Sequence, residues 1–338
     1  MGVTLQQIAD MAGVHKSTVD KVIHNRPGVS DAKRQMIKKL LEENHYESNP
    51  LAKALNYQKK KMKVAVILPE VDSTPFLKAG MELVRQDFNS FNIEVQYDIL
   101  NFSNKEEKIN ELSHLKKEEI SGVVLMPLEN EVFEEIQQLL KKNEIPVVTI
   151  NTEMIDGSQL CYVGQDCEQQ GKIAARMLSL FKPGGANLGI ISRHHMRSVR
   201  IRENSLRSYL TEISNIIPPE ETVYIVETAE DAYNKTKEYL LAHPETDALY
   251  LTCGRVADIC RAVEDLGRAD RMTVICYEGY PEIMELIKRG RVACSIANDL
   301  MNQGRLAMRL LFEYLIYEKE SESKVIYISN RIILKENA

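Results

Sequence analysis

Residues 3–57 read VTLQQIADMAGVHKSTVDKVIHNRPGVSDAKRQMIKKLLEENHYESNPLAKALNY, and the rest of the chain is best understood outward from them. Thr4 followed by Gln7 is a capping-box pair: the hydroxyl accepts from an amide of the first helical turn while Gln7 reaches back, so a helix has a defined start. Leu5, Ile8, Ala9 and Ala12 then form one apolar stripe at helical spacing, and Val14, Val19, Val22 and Ile23 supply a matching stripe on a second helix from about residue 16 to 23. Gly13 stands between them, and two helices joined by a Gly-containing turn pack at a steep angle. Ser30 is placed to cap a third helix that runs to Asn44, with Met36, Ile37, Leu40 and Leu41 expected to close a small core. The polar side of the second helix carries Lys16, Ser17, Thr18, Asp20 and Lys21, groups that bond phosphates and base edges. The plainer alternative is a helical hairpin with a solvated basic face.

The next stretch favours the first reading. Asn49, Pro50 and Leu51 to Leu55 read as an N-cap, a proline at the first helical position and barely two turns. So short a helix does not hold alone in water and needs something to order it. Residues 3 to 57 resemble the DNA-binding headpiece and hinge of the lactose-repressor (LacI) family. The resemblance is carried by Val3, Thr4, Leu5, Ile8, Ala9, Ala12, Gly13, Val14, Ser17, Thr18, Val19, Val22, Asn25, Val29, Ser30, Tyr46, Asn49, Ala52 and Leu55. It implies that Lys16, Ser17 and Lys21 face bases in the major groove, that Thr18, Asn25 and Ser30 lie nearer the phosphates, and that Thr4 joins this set. It also implies that Ala52 and Leu55 enter the minor groove, where paired leucines of two subunits pry open a base step. Such a wedge costs about a few kcal/mol, offset by the contacts that the bend allows. Asp20 and Lys21 depart from the pattern, where Ser and Arg are common. A carboxylate there repels phosphate but can accept from a cytosine amino group.

Charge divides the chain the same way. Residues 1–63 hold twelve Lys and Arg against six acids, a net of +6 in a chain whose total is −6, which leaves the remainder near −12. A basic head on an acidic body suits a protein that grips nucleic acid at one end. The 338 residues leave ample chain behind the headpiece for a two-lobed body. No signal-type or membrane-length apolar run is present, so a cytoplasmic protein without membrane contact is expected. The six cysteines, at 161, 167, 253, 260, 276 and 294, lack metal-ligand pairing and are expected to be reduced, with no metal or cofactor.

Behind residue 63, short apolar runs alternate with helical patterns throughout, the signature of an α/β fold with doubly wound parallel sheets. Candidate strands are 63–68, 94–99, 122–126, 146–150, 187–192, 222–226, 248–252, 272–277 and 325–328, too many for one comfortable sheet. Helical patterns between them include 76–88, 131–142, 168–181, 231–242 and 302–317. This part resembles the two-lobed, type I periplasmic sugar-binding-protein fold that LacI-family members carry. The phrases concerned are Ile145 to Val148 leading to Asn151; Val163 to Asp166 with Gly171 and Ala174; Thr273 to Gly279; and Ala293 to Asn298 with Gly304. The expected division is a headpiece at 1–48, a hinge helix and linker at 49–62, and an effector and dimerisation domain at 63–338. One lobe takes about 63–161 and 296–322, the other about 162–292 and 323–338, with three crossings between them.

Ligands of open parallel sheets sit beyond the carboxyl ends of strands. The candidates there are Glu70, Phe76, Pro127, Glu129, Asn151, Arg200 or Arg202, Cys253, Glu278 and Asn298. By resemblance, the second-lobe arginine and Glu278 bond sugar hydroxyls, Asn298 lies in a crossover and Phe76 stacks on a ring. The alternative for each single residue is a solvated loop or a helix cap. Cys253 and Gly254 stand where sugar-binding relatives commonly show Asn and Asp. That loss, with the basic run Arg193, His194, His195, Arg197, Arg200 and Arg202, leaves open a phosphorylated or acidic ligand; a solvated basic loop is the other reading of the run. The implied function is a homodimeric regulator of repressor type that binds double-stranded operator DNA and a small-molecule effector, a sugar, polyol or phosphorylated or acidic derivative. An α/β enzyme or a solute-binding protein is the rival. No G-x-G-x-x-G opens a helix after the first strand, and neither G-x-S-x-G nor H-E-x-x-H occurs.

Overall fold

The computed structural model describes residues 3–23, 28–44, 46, 61–100, 119–154, 156–193, 196–226 and 228–338. The chain divides near residue 61 into two units, taken here in turn. In the first, helices α1 (Leu5–Met11), α2 (Lys16–Ile23) and α3 (Asp31–Glu43) enclose a core of Ile8, Ala9, Ala12, Val19, Val22 and Ile37. The capping box forms as its residues dictate: Gln7 N donates to Thr4 Oγ1 at 3.3 Å and Thr4 N donates to Gln7 Oε1 at 2.8 Å. Gly13 adopts φ +61°, a conformation that glycine takes without a steric penalty, and so turns the chain from α1 into α2. One expected core residue is displaced. Met36 is 42% exposed, because Ile37, Leu40 and Leu41 already supply the inward face of α3. The expected hinge helix, with Ala52 and Leu55, lies outside the described residues.

The second unit holds two six-stranded sheets. The first contains β1 (Met62–Pro69), β2 (Ile93–Leu100), β3 (Gly122–Leu125), β4 (Val147–Ile150), β5 (Cys161–Gly164) and β11 (Val325–Tyr327), all parallel. The second contains β6 (Leu188–Arg193), β7 (Val223–Ile225), β8 (Ala248–Leu251), β9 (Thr273–Tyr277) and β10 (Cys294–Asn298) in parallel, closed by the antiparallel β12 (Asn330–Ile333). Both faces of these strands are covered, which is why they read as continuous apolar runs. In the second sheet, Leu249 and Leu251 join the core on one side while Ala248 and Tyr250 join the core on the other. Helices α4 (Thr74–Asp87), α5 (Glu131–Lys142) and α11 (Leu300–Tyr317) serve the first lobe; α6 (Cys167–Phe181), α7 (Arg197–Ile213), α8 (Ala229–Ala242), α9 (Val256–Asp265) and α10 (Pro281–Lys288) serve the second.

The chain passes between the sheets after β5, after β10 and between β11 and β12. Three expected boundaries shift as a result. β5 stays in the first sheet through Gly164, so the first crossing follows residue 164 instead of 161. β10 stays in the second sheet through Asn298, so that crossing follows residue 298 instead of preceding residue 296, and β11 pairs with β5 in the first sheet, although residues 323–338 were expected in the second lobe. Only β12 returns. The short strands β5, β10 and β12 were not picked out from apolar patterning, and neither was helix α7. Its stripe of Val199, Leu206 and Leu210 is interrupted by Arg202 and Glu203, both buried, so the 3.6-residue rhythm is masked by charge. The basic run thus corrects from loop to helix for Arg197, Arg200 and Arg202; His194 and His195 lie outside the described residues.

Candidate functional site

In the first unit, α2 turns Lys16, Ser17 and Lys21 to solvent, with Thr18 and Asp20 half-exposed and Val19 and Val22 inward. His15 precedes the helix, and its Nδ1 accepts from Ser17 N at 3.3 Å and lies 2.9 Å from Ser17 Oγ. The imidazole thereby does the work that a serine or aspartate does at most helix starts. Thr4 Oγ1 is held within the capping box. Ser30 precedes α3 without a side-chain capping bond, so its exposed hydroxyl is available to a ligand. Asp20 faces Tyr46: burial and this nearby carboxylate push the Tyr46 phenol above its ordinary range. Asn25, Ala52 and Leu55 lie outside the described residues. The arrangement presents two lysines, a serine and a threonine on one face of a helix held by a small core, the chemistry for phosphate and base-edge contacts.

In the second unit, a cavity of about 310 Å³ opens between the two sheets at the carboxyl ends of their strands. The first lobe contributes Glu70 and Asp72 after β1, Met126 after β3 and Asn151 after β4. The second contributes Arg193 at the end of β6, Thr252 to Arg255 after β8, Glu278 and Tyr280 after β9, and Ser198 and Arg202 from α7. Asn151 (φ 62°) and Glu278 (φ 74°) both adopt the left-handed region that ordinary side chains avoid, and such outliers concentrate at ligand sites. Asn151 Oδ1 accepts from Gln165 Nε2.

Arg202 and Glu278 form the electrostatic centre. Arg202 is only 7% exposed, its guanidinium lies 4.6 Å from the Tyr277 ring centroid, and its Nε donates to Gln170 Oε1 at 2.7 Å. Glu278 Oε2 is shielded from solvent and has no hydrogen-bond partner among the described residues. Burial raises the Glu278 carboxyl above its usual range, and the Arg202 charge acts in the opposite sense. A ligand hydroxyl, which donates and accepts, meets the needs of such a pair.

Of the residues expected at an effector site, Glu70, Asn151, Arg202, Cys253 and Glu278 line this cavity, whereas Pro127, Glu129, Phe76, Arg200 and Asn298 do not. Phe76 stacks on Tyr280 with centroids 5.5 Å apart, one ring from each lobe, and so reaches the cavity only through its partner. Arg200 points away and makes a bidentate pair with Glu129 of the first lobe, at 2.5 and 3.0 Å. Asn298 lies at the second crossing, its Oδ1 accepting from Gln170 Nε2 at 2.9 Å. Sequence reasoning missed Arg255, Tyr280 and Gln170. The first two follow the same strand-end rule by a further residue or two, whereas Gln170 sits inside α6 and carries no local signal. All six cysteines are reduced thiols, Cys253 half-buried and the others buried.

A model of the periplasmic binding protein domain matches residues 64–319, and a model of bacterial regulatory proteins of the lacI family matches residues 4–49. Catabolite control protein A of Staphylococcus epidermidis is 23% identical over 341 residues, spanning 98% of each chain. The NTD biosynthesis operon regulator NtdR of Bacillus subtilis is 31% identical over 166 residues, 48% of this chain and 47% of its own. Among solved structures, GanP, a glucose-galactose binding protein from Geobacillus stearothermophilus, superposes with a TM-score of 0.71 at 20% identity, over 82% of this chain and 99% of that one, a likeness of fold. With a helix-turn-helix matched in front of a two-lobed binding fold, the chain belongs to the LacI family of DNA-binding bacterial regulators.

Proposed function

We propose that this protein is a homodimeric transcriptional repressor whose hold on its operator is set by a sugar or sugar derivative bound in the interlobe cavity. The observation that carries the effector reading is that one cavity brings together the buried Arg202 of α7 and the buried Glu278 carboxyl after β9, whose Oε2 lacks a partner among the described residues. Leaving a buried acceptor unsatisfied costs about 1–3 kcal/mol, and a polyol hydroxyl removes that cost on binding. The DNA reading is supported by the exposed Lys16, Ser17 and Lys21 of α2. Two headpieces on two half-sites need a dimer, and the hinge residues Ala52 and Leu55 belong to this same proposal as minor-groove contacts. A second reading, a phosphorylated or acidic effector, is favoured by Arg193 and Arg255 on the cavity wall. The protein acts in the cytoplasm and at no membrane; no helix among the described residues is long and apolar enough to cross one. No catalysis is proposed, and among the described residues no cluster of His, Cys, Asp and Glu is arranged to hold a metal ion.

The test is selection of a duplex from a randomised pool by the full chain, followed by titration with neutral and phosphorylated monosaccharides. One recovered site should bind in preference to random competitor, and one compound should shift its affinity by roughly 5- to 150-fold, the span of ordinary linkage. Equal affinity for all duplexes would remove the regulator reading, and turnover of a bound compound would favour an enzyme.

A further inference from the structure

Gln170 is completely buried in the first turns of α6, and both ends of its side-chain amide are engaged. Its Oε1 accepts from Arg202 Nε at 2.7 Å; its Nε2 donates to Asn298 Oδ1 at 2.9 Å and to Asn330 Oδ1 at 2.8 Å. Arginine only donates, so the amide can face Arg202 in one orientation alone, and both N–H groups are then aimed at the two asparagines. Those asparagines are the last residue of β10 and the first of β12, directly opposed in register, where the chain leaves the second sheet and where it returns. The remaining crossing, after β5, leads into α6 itself. Asn330 Nδ2 donates in turn to Gln169 Oε1 at 2.7 Å. One buried amide therefore touches the cleft arginine and sits at every passage of chain between the lobes.

The close seating of α7 on α6 makes this contact possible. At Gly171 an added Cβ would lie 2.3 Å from the Arg202 carbonyl oxygen, so the neighbouring residue of α6 is held against Arg202 by backbone contact. Any movement of Arg202 toward a ligand must either break its bond to Gln170 or turn the amide plane, and turning the plane disturbs both asparagines. Buried hydrogen-bond networks of this kind are stiff, and their members act together.

We infer that Gln170 is a positioning residue: it sets the guanidinium of Arg202 for the effector and transmits displacement of that group to the crossings at Asn298 and Asn330. This rests on the effector reading only for the identity of what displaces Arg202; the mechanical link is independent of it. It also defines the family of variants that separates linkage from mere support. Gln170→Leu removes both donors and the acceptor. Gln170→Glu keeps an acceptor for Arg202 and takes donors from the asparagine amides once these rotate; Asn298 Nδ2 is without a partner among the described residues and can supply one.

The test needs no ligand. Amide hydrogen exchange of the full chain is followed at residues 294–298 and 330–333 in the parent, Arg202→Met, Gln170→Leu, Gln170→Glu and the double variant Arg202→Met with Gln170→Leu, each first shown to be folded by circular dichroism and a cooperative melt. Arg202→Met should speed exchange at these strand ends by about tenfold, within the range for members of one network. The same substitution should add nothing once residue 170 is leucine, and Gln170→Glu should stay near the parent. Additive effects of Arg202→Met and Gln170→Leu, or an Arg202→Met effect confined to α7, would overturn the proposal. If Gln170→Leu does not fold, the contrast between Gln170→Glu and Arg202→Met decides: strand ends that exchange equally fast in both would overturn it as well. A failure of sugars to bind, with the coupling intact, would count against the effector reading and leave this link standing.

Discussion

The two lobes share a strand order. The first sheet runs β2, β1, β3, β4, β5 and the second β7, β6, β8, β9, β10, each closed by one late strand that is parallel in the first and antiparallel in the second. They furnish the cleft differently. The first lobe offers Glu70 and Asp72, both exposed on the loop after β1. The second offers Arg202, buried, stacked on Tyr277 and bonded to Gln170, with the Glu278 carboxyl beside it. Equal topology thus carries unequal surroundings: Arg202 and the Glu278 carboxyl are buried, whereas Glu70 and Asp72 lie on the surface and, of the first lobe's polar groups there, Asn151 is held by Gln165. Binding to pre-ordered groups loses less entropy, so the proposed effector reading assigns recognition mainly to the second lobe.

The largest effect that would break this comparison is at Arg202. Arg202→Met leaves the buried Gln170 oxygen without its donor, at about 1–3 kcal/mol for an unsatisfied buried acceptor, and removes the guanidinium contact with the Tyr277 ring, worth about 2 kcal/mol when desolvated. In urea unfolding the expected loss falls on the second lobe, with exchange in β1 to β4 unchanged; an equal loss in both lobes would erase the distinction. Next is Gly171→Ala. Its Cβ would meet backbone at 2.3 Å and Ser205 Cβ at 2.7 Å, forcing α6 and α7 apart at an overpacking cost of about 1–3 kcal/mol. The melting temperature and any effector response should fall together.

Glu278→Gln sharpens the comparison through its sign. Because burial raises the folded-state acid, this carboxyl supports folding fully only below the usual carboxylate range, and that support is lost as the pH rises through the folded-state value. The glutamine stays neutral at every pH, so the variant should melt higher than the parent at pH 8, with the gap closing toward pH 4. A gap that widened in acid would contradict the assigned environment. The smallest effect belongs to Arg200→Ala. The pair with Glu129 joins the lobes at a largely exposed position, so its removal should change stability by no more than about 1 kcal/mol. Its signature is in small-angle scattering, where a larger radius of gyration is expected if the pair helps to keep the cleft shut.

How much of this was legible beforehand follows from where the signals lie. The headpiece was readable because its cap, turn and stripes are local: Thr4 with Gln7, Gly13, and Ile8 with Val19 lie within a few turns of one another. The central strands were readable because burial on both faces leaves unbroken apolar runs. β5, β10 and β12 escaped because they are mixed in composition, as CYVG, CSIAN and NRII, whereas the equally short β3 and β8 read as unbroken apolar runs, GVVL and ALYL. The site followed the strand-end rule for Asn151, Cys253 and Glu278. Arg200 and Arg202 could not be separated until α7 was known to be a helix: two residues apart is over half a turn, which sends one guanidinium into the cleft and the other across to Glu129. Gln170 was invisible because its meaning depends on Asn298 and Asn330, more than a hundred residues away along the chain.

The threefold passage between lobes also governs the order in which the molecule comes into being. The second sheet opens at Leu188 and is completed at Ile333, and in the interval the chain departs, finishes the other sheet with β11 and comes back. A ribosome cannot release a finished second lobe until Asn330 to Ile333 have been translated, whereas the three helices of residues 5–43 emerge first and need nothing made later for their core. Synthesis therefore delivers the reader of DNA well ahead of the part that governs it.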